Sequence, residues 1–369
     1  MKVSAFRWGT GLSVAALLLS GASLATQADA TPRTLYTSQR VSPAGTSEAR
    51  VHDLNDRGDV VGQSASGPWA SVRGRRGALL PTKDAAGTVF DVAQSAIRVG
   101  PDGSIAAGAA FVPGPDPTIS AYRTGALLRW ATASATPVGL IKPATPPPLR
   151  RGTWISVAGI DRSGTIAANR DYAGYVKAGT RVSPAGVETR LDAYDSPNGY
   201  LFADIAATGR VVGRGSLHLP GDEPSTRAFT VDGQTVAPLT TPGDPSPTPV
   251  AIAPQGRRIV GTSADLGATL WTDRSASRLS GAPQGFTPVG VNDQGDVVGT
   301  VDASGQVRAV LVRAGRAEHL TRVIGLRGAD SVCGVGGIND RGQIAVDICR
   351  ASGERYSALL TPRSGWHRR

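Results

Sequence analysis

Asp53-Leu54-Asn55-Asp56-Arg57-Gly58-Asp59-Val60-Val61-Gly62 is an apolar segment, a polar turn and a second apolar segment, and the chain repeats that plan along its length. The closest copies are Gly290-Val291-Asn292-Asp293-Gln294-Gly295-Asp296-Val297-Val298-Gly299 and Gly337-Ile338-Asn339-Asp340-Arg341-Gly342-Gln343-Ile344-Ala345. Looser ones stand at 101–108, 161–168, 206–213 and 254–261. Asn opens a type I turn well because its side chain bonds the following backbone, and Gly supplies the left-handed residue that a bulged hairpin needs next. Asn55, Asp56 and Gly58, with Asn292, Asp293, Gly295, Asn339, Asp340 and Gly342, therefore read as structural turn residues joining antiparallel strands. In Val60-Val61-Gly62 the apolar residues run on without alternation, as in a strand covered on both faces.

The turn glycines fall at 58, 103, 164, 209, 256, 295 and 342, so the intervals are 45, 61, 45, 47, 39 and 47 residues. Repeats of about 40–50 residues match four-stranded propeller blades, and no helical stripe of 3.6-residue period competes with that reading. The long interval carries Pro143, Pro146, Pro147 and Pro148, the composition of a surface loop. A second element, an Ala before bulky apolar residues, follows most turns: Ala78-Leu79-Leu80, Ala126-Leu127-Leu128, Ala228-Phe229, Ala268-Thr269-Leu270-Trp271, Ala309-Val310-Leu311 and Ala358-Leu359-Leu360. The expected fold is all-β, a β-propeller of seven blades, with six or eight as alternatives. Arg40-Val41-Ser42-Pro43-Ala44-Gly45 recurs verbatim at 181–186, which makes the N-terminal segment a spare half-repeat. The economical use for it is ring closure, joining the blade that holds Ala358-Leu359-Leu360 and leaving no free edge there.

These repeats resemble the bacterial extracellular HAF-repeat family, named for a His-Ala-Phe stretch that stands here as Arg227-Ala228-Phe229. The resemblance covers nearly all of residues 31–369 and implies a secreted, propeller-like array. It implies no activity.

Lys2 and Arg7, the apolar run Leu12 to Leu19 and Ala28-Asp29-Ala30 have the order of a secretory signal, with cleavage expected between Ala30 and Thr31. Residues 31–369 then form a single secreted domain, expected to be a soluble monomer exported by the general route, because no later segment has the ~18–20 apolar residues of a membrane span. The formal charge is +10, almost all of it Arg, since Lys2, Lys83, Lys142 and Lys177 are the only lysines. The arginines are dispersed, as on a solvated surface, and only Arg73, Arg75 and Arg76 cluster. Without an aromatic ladder or motif this charge does not indicate nucleic acid, though it suits anionic cell-wall polymers.

Cys333 and Cys349 flank the seventh turn. If Asn339 faces Gln343, counting outward places Cys333 opposite Cys349, within disulfide reach in an oxidising compartment. The acidic turns invite a calcium reading, but the next alternate position holds Arg57, Gln294 or Arg341, which a calcium loop would not carry. His52, His218, His319 and His367 are isolated, so no metal or other cofactor is expected. No Gly-x-Ser-x-Gly elbow, phosphate loop or dinucleotide fingerprint occurs. Trp130 and Trp271 read as blade packing, and Trp69 and Trp154 as surface candidates. The expectation is a binding or scaffold module whose ligand (wall polymer, carbohydrate or protein) meets irregular loops at 111–120, 142–152, 216–226 and 242–249. The alternative is a propeller hydrolase or lyase with polar residues gathered at one mouth of the channel.

Overall fold

A computed structural model describes residues 34–92, 97–111, 124–141, 155–172, 176–191, 200–217, 225–273, 275–303, 305–326 and 328–363. The expected signal segment with its Ala30/Thr31 boundary, Trp154, His218 and His367 lie outside them. The chain is a seven-bladed β-propeller, one sheet per repeat.

Strand β1 (Tyr36–Arg40) comes first and is set aside for the last blade. Blade 1 is β2 (Arg50–Leu54), β3 (Val60–Ser64), β4 (Gly67–Ser71) and β5 (Ala78–Leu79). Blade 2 holds β6 (Phe90–Asp91), β7 (Ile97–Val99), β8 (Ile105–Phe111), β9 (Thr124–Trp130) and β10 (Val138–Ile141). Blade 3 is β11 (Ile155–Ile160), β12 (Ile166–Tyr172), β13 (Val176–Val182) and β14 (Glu188–Arg190), and blade 4 is β15 (Tyr200–Ile205), β16 (Val211–Leu217), β17 (Ser225–Asp232) and β18 (Thr235–Pro238). Blade 5 is β19 (Thr248–Ile252), β20 (Arg258–Ser263), β21 (Gly267–Thr272) and β22 (Ser275–Arg278). Blade 6 is β23 (Phe286–Val291), β24 (Val297–Ala303), β25 (Gln306–Arg313) and β26 (Arg316–His319), followed by a single helical turn, α1 (Leu320–Val323). Blade 7 is β27 (Ser331–Ile338), β28 (Ile344–Cys349) and β29 (Arg355–Pro362), and β1 completes it by pairing with β29, Ser38 opposite Leu360. The ring is thus closed by the first strand of the domain lying beside the last.

The two copies of the recurring hexapeptide stand at different places in a blade. Residues 181–186 run from the third strand into the turn before the fourth, whereas 40–45 start on the last residue of the fourth strand of blade 7 and lead across to blade 1. Blade 1 departs from the sequence reading. Its third strand is β4, with Trp69 opposite Gly62, and Ala78-Leu79 forms the fourth strand instead. Trp69, expected on the surface, is completely buried. The hairpin from β3 to β4 is tight, so the third strand starts where a loop was expected, and Pro68 hides its pattern. Trp130 and Trp271 are completely buried, and each ring N–H donates to a carbonyl of the preceding blade, Pro81 and Thr240.

Seven apolar clusters fill the seven blade boundaries. Val61 and Leu80 of blade 1 pack with Ile97 and Ile105 of blade 2, and Val51 and Trp69 pack with Ala345 and Leu359 where blade 7 meets blade 1. The other five follow the same plan. A strand sandwiched between two clusters has no polar face, which accounts for unalternated runs such as Val60-Val61.

Candidate functional site

In every blade the innermost strand runs to the turn, so the seven turns surround one mouth of the axial channel. The turn glycines all have φ between 70° and 88°, the left-handed region. Asn55 Oδ1 accepts the N–H groups of Arg57 and Asp59, and its Nδ2 reaches into blade 2 to donate to Gly100 O at 2.8 Å. Asn292 Nδ2 donates to Asn339 O at 3.2 Å, and Asn339 Nδ2 to Asn55 O at 3.0 Å, each in the following blade. The Asp beside each Asn receives a donor from the preceding blade. Gln255 N donates to Asp293, Asp293 N to Asp340 and Asp340 N to Asp56. The turn residues therefore fasten blade to blade as well as shaping their own hairpins.

Two residues upstream of each turn's first residue the register defines a ring of equivalent positions. It consists of Asp53, Arg98, Gly159, Asp204, Ala251, Gly290 and Gly337, which face the equivalent second-strand residues Val61, Ala106, Ala167, Val212, Val260, Val298 and Ala345. None was singled out as a site residue from sequence, although aligning the repeats on their turns brings the three charged members into one column. A cavity of about 130 Å3 opens beside this ring, with Asp53, Asp204, Gly290 and Gly337 among its lining residues and Asn55 and Asn339 at the mouth.

The charged members are committed to neighbouring blades. Asp53 accepts Leu54 N at 2.8 Å and Val99 N of blade 2 at 3.0 Å. Asp204 accepts Ile205 N at 2.7 Å and Ile252 N of blade 5 at 3.0 Å. Arg98 Nε donates to Ala158 O of blade 3 at 2.9 Å. Burial near the axis raises the carboxyl pKa of Asp53, partly opposed by Arg98, and lifts that of Asp204 to about 7, with the charge of Asp53 adding to the rise. His52 accepts Ile97 N through Nδ1 at 3.3 Å, and burial with the nearby Arg98 and Arg50 lowers its pKa to about 4. The imidazole is neutral at physiological pH, with its remaining proton on Nε2.

Part of the positive charge has a structural use. Arg181 donates to Gly209 O and Gly233 O, Arg210 to Gly256 O and Arg57 to Asp102 O, each across a blade boundary. The disulfide joins Cys333 to Cys349, with Cα atoms 5.8 Å apart. Among the described residues no group of His, Cys, Asp or Glu has the arrangement of a metal site, and no helix is long and apolar enough to cross a membrane.

The connections from second to third strand, and from fourth strand to the next blade, leave from the opposite mouth. Segments 112–123, 142–154, 192–199 and 218–224 all belong to these two classes, and they lie outside the described residues. Of the four loops expected from sequence, only 242–249 is described throughout, and there Thr248 and Pro249 already belong to β19; Phe111, Ser216, Leu217, Ser225 and Thr226, expected in loops, are strand residues. Asp244 organises the 242–249 loop, accepting Ser246 N at 2.8 Å and, through its other oxygen, Ala264 N at 2.7 Å.

No family model and no curated protein matches this sequence. Solved propellers match its fold. The β-propeller domain of the trilobed protease from Pyrococcus furiosus aligns with a TM-score of 0.53 at 8% identity, over 84% of this chain and 95% of that one. An acylaminoacyl peptidase from Pyrococcus horikoshii gives 0.50 at 12% identity, over 73% of this chain and 45% of the peptidase. YCF48 from Cyanidioschyzon merolae gives 0.47 at 13% identity, over 88% and 98%. At such identities the likeness is one of fold.

Proposed function

We propose that this chain is an exported binding or scaffold propeller of the HAF-repeat type, with its recognition surface at the mouth opposite the turns. The observation that carries this reading is how the axial carboxylates are used. Asp53 and Asp204 each spend both oxygens on backbone N–H groups, and Asp56, Asp293 and Asp340 each accept a donor from the preceding blade. A general acid or base must reach a substrate proton, and these groups are occupied in holding blades together. Long intervals between described strands, from Phe111 to Thr124, Ile141 to Ile155 and Leu217 to Ser225, start from strand ends on the far side instead, and connections of that kind can vary while strands keep packing. The disulfide fits an oxidising compartment, and the expected partner is a wall polymer, a carbohydrate or a protein.

The test is retention of immobilised protein on peptidoglycan, anionic wall polymer and neutral glycans at low and high salt. A variant with 112–123, 142–154 and 218–224 replaced by short Gly-containing turns is the comparison. A ligand held by the parent and released by the trimmed variant, with unchanged melting, supports the reading. Turnover of an ester, lactone or glycoside that Asp204→Asn abolishes would establish the hydrolase or lyase alternative instead.

A further inference from the structure

Asp293, Asp340 and Asp56 occupy the same turn position in blades 6, 7 and 1, the run of blades that includes the closure between the two ends of the domain. Their bonds make a directed relay. Asp340 Oδ1 accepts Asp293 N at 2.8 Å, and Asp56 Oδ1 accepts Asp340 N at 2.9 Å. The equivalent positions in blades 2 to 5 hold Pro101, Arg162, Ala207 and Pro254, so the three carboxylates form a run confined to one side of the mouth.

We propose that this relay is a proton-operated clasp on the turn mouth: a proton held between the Asp293 and Asp340 side chains closes it, and loss of that proton loosens the boundaries among blades 6, 7 and 1. The idea goes beyond the binding reading and does not rest on it. The groups facing Asp340 from the packed elements are Asp293 of blade 6 and Asp56 of blade 1, both acidic. On its own turn Arg341 is exposed, and Arg57 of blade 1 is turned toward Asp59, 3.3 Å away, and Asp102 O. Burial, a side-chain hydrogen bond with Asp293 and the charges of Asp56 and Asp293 outweigh the bond from Asp293 N and lift the Asp340 carboxyl to about 7. When protonated, Asp340 can donate to the Asp293 carboxylate while its Oδ1 keeps the Asp293 N–H. When ionised, three like charges stand on consecutive blades, each beside the next.

Carboxyl 13C NMR of the full chain from pH 4 to 9, with Asp293→Asn and Asp340→Asn variants, tests this. The Asp340 resonance should titrate near the value above and fall by about one pH unit or more in Asp293→Asn, where the neighbouring charge is gone. Amide exchange gives an independent readout. After correction for intrinsic rate, protection at Asp293 and Asp340 should drop about tenfold from pH 6 to pH 8 in the parent and stay level in Asp340→Asn, which keeps the acceptor oxygen. An Asp340 resonance titrating in the ordinary carboxylate range, or one that Asp293→Asn leaves in place, would overturn the clasp. So would an equal loss of protection in the parent and in Asp340→Asn.

Discussion

Cys333 is bonded to Cys349, although the residue facing Cys349 across the ladder is Ser331. Strand β27 carries two bulges against β28, between Val332 and Gly334 and between Val335 and Gly337. Each adds one residue to one side of the ladder, so the simple outward count from Asn339 and Gln343 is shifted by two. Cys333 is itself the extra residue of the outer bulge, which still leaves it within reach of its partner. Among the described residues, the bond clips the one innermost strand that carries two bulges. Closing a loop of this span contributes about 3 kcal/mol at most. Replacing both cysteines with Ser should lower the urea midpoint correspondingly while leaving the far-ultraviolet circular dichroism of the all-β fold in place. An unchanged midpoint under non-reducing conditions would show that the clip is idle.

Gly62 sits opposite Trp69, where an added Cβ would lie 2.1 Å from Arg50 O and 2.5 Å from the indole ring. Gly299 is as crowded in blade 6, with Thr287 O at 2.2 Å and the ring of Phe286, here from the first strand, at 2.6 Å. A backbone carbonyl held in a ladder cannot retreat, so Gly62→Ala and Gly299→Ala should each cost about 1–3 kcal/mol or more, the usual range for overpacking. Gly337 has nothing within 4 Å of its missing Cβ, and Gly337→Ala should change stability by about 0.5 kcal/mol or less. Thermal melts of the three variants decide the matter, and equal melting would remove the steric account.

The blades were legible because a repeat restates its turn chemistry in every copy. Asn55, Asn292 and Asn339 announce hairpins, and the surplus N-terminal half-repeat pointed to closure through β1 beside β29. Trp69 was misread because Pro68 interrupts the third strand of blade 1 and the Ala-led segment there, Ala78-Leu79, is the fourth strand. The axial ring was harder to see. Asp53 lies inside the first repeat and Asp204 two residues before the repeat at 206–213, but a carboxylate near a turn looks like turn chemistry until the register places it on the axis. The bonds from Val99 N and Ile252 N come from the next blade, and distance along the chain conceals them.

Asp204 gives a pH dependence whose sign is opposite to that of most carboxylates. Its folded value of about 7 lies above the ordinary value of 3.8, so between those limits the folded protein keeps a proton that the unfolded chain has released. Its contribution is therefore fully present below about pH 4 and is lost as pH rises toward 7, at no more than ~1.4 kcal/mol per pH unit. Asp204→Asn keeps one of the two acceptor oxygens and removes the titration, so its stability relative to the parent should rise from pH 5 to pH 8. Asp204→Ala strands Ile205 N–H and Ile252 N–H and should be destabilised at both pH values by roughly 1–3 kcal/mol for each orphaned group. Urea titrations at the two pH values measure this, and a constant gap between parent and Asp204→Asn would contradict the raised pKa.

Asn339 separates the two roles of the turn residues, because its two ends do different things. Oδ1 accepts Arg341 N and Gln343 N within the turn, while Nδ2 donates to Gln343 Oε1 and, across the closure, to Asn55 O. Asn339→Ala loses both sets at a buried position and should cost about 2–3 kcal/mol. Asn339→Asp keeps the acceptor of the turn but points a second oxygen at Asn55 O and Gln343 Oε1, where a donor is needed. At pH 7 that carboxylate is repelled by its neighbours, so the Asp variant should be less stable than the Ala variant despite its better turn chemistry. Acidification supplies the missing donor as the carboxyl takes up a proton, and the order of the two should then reverse. Denaturation of both variants at pH 7 and at pH 4 checks it. If Asp outperforms Ala at pH 7, the bond across the closure contributes less than the turn.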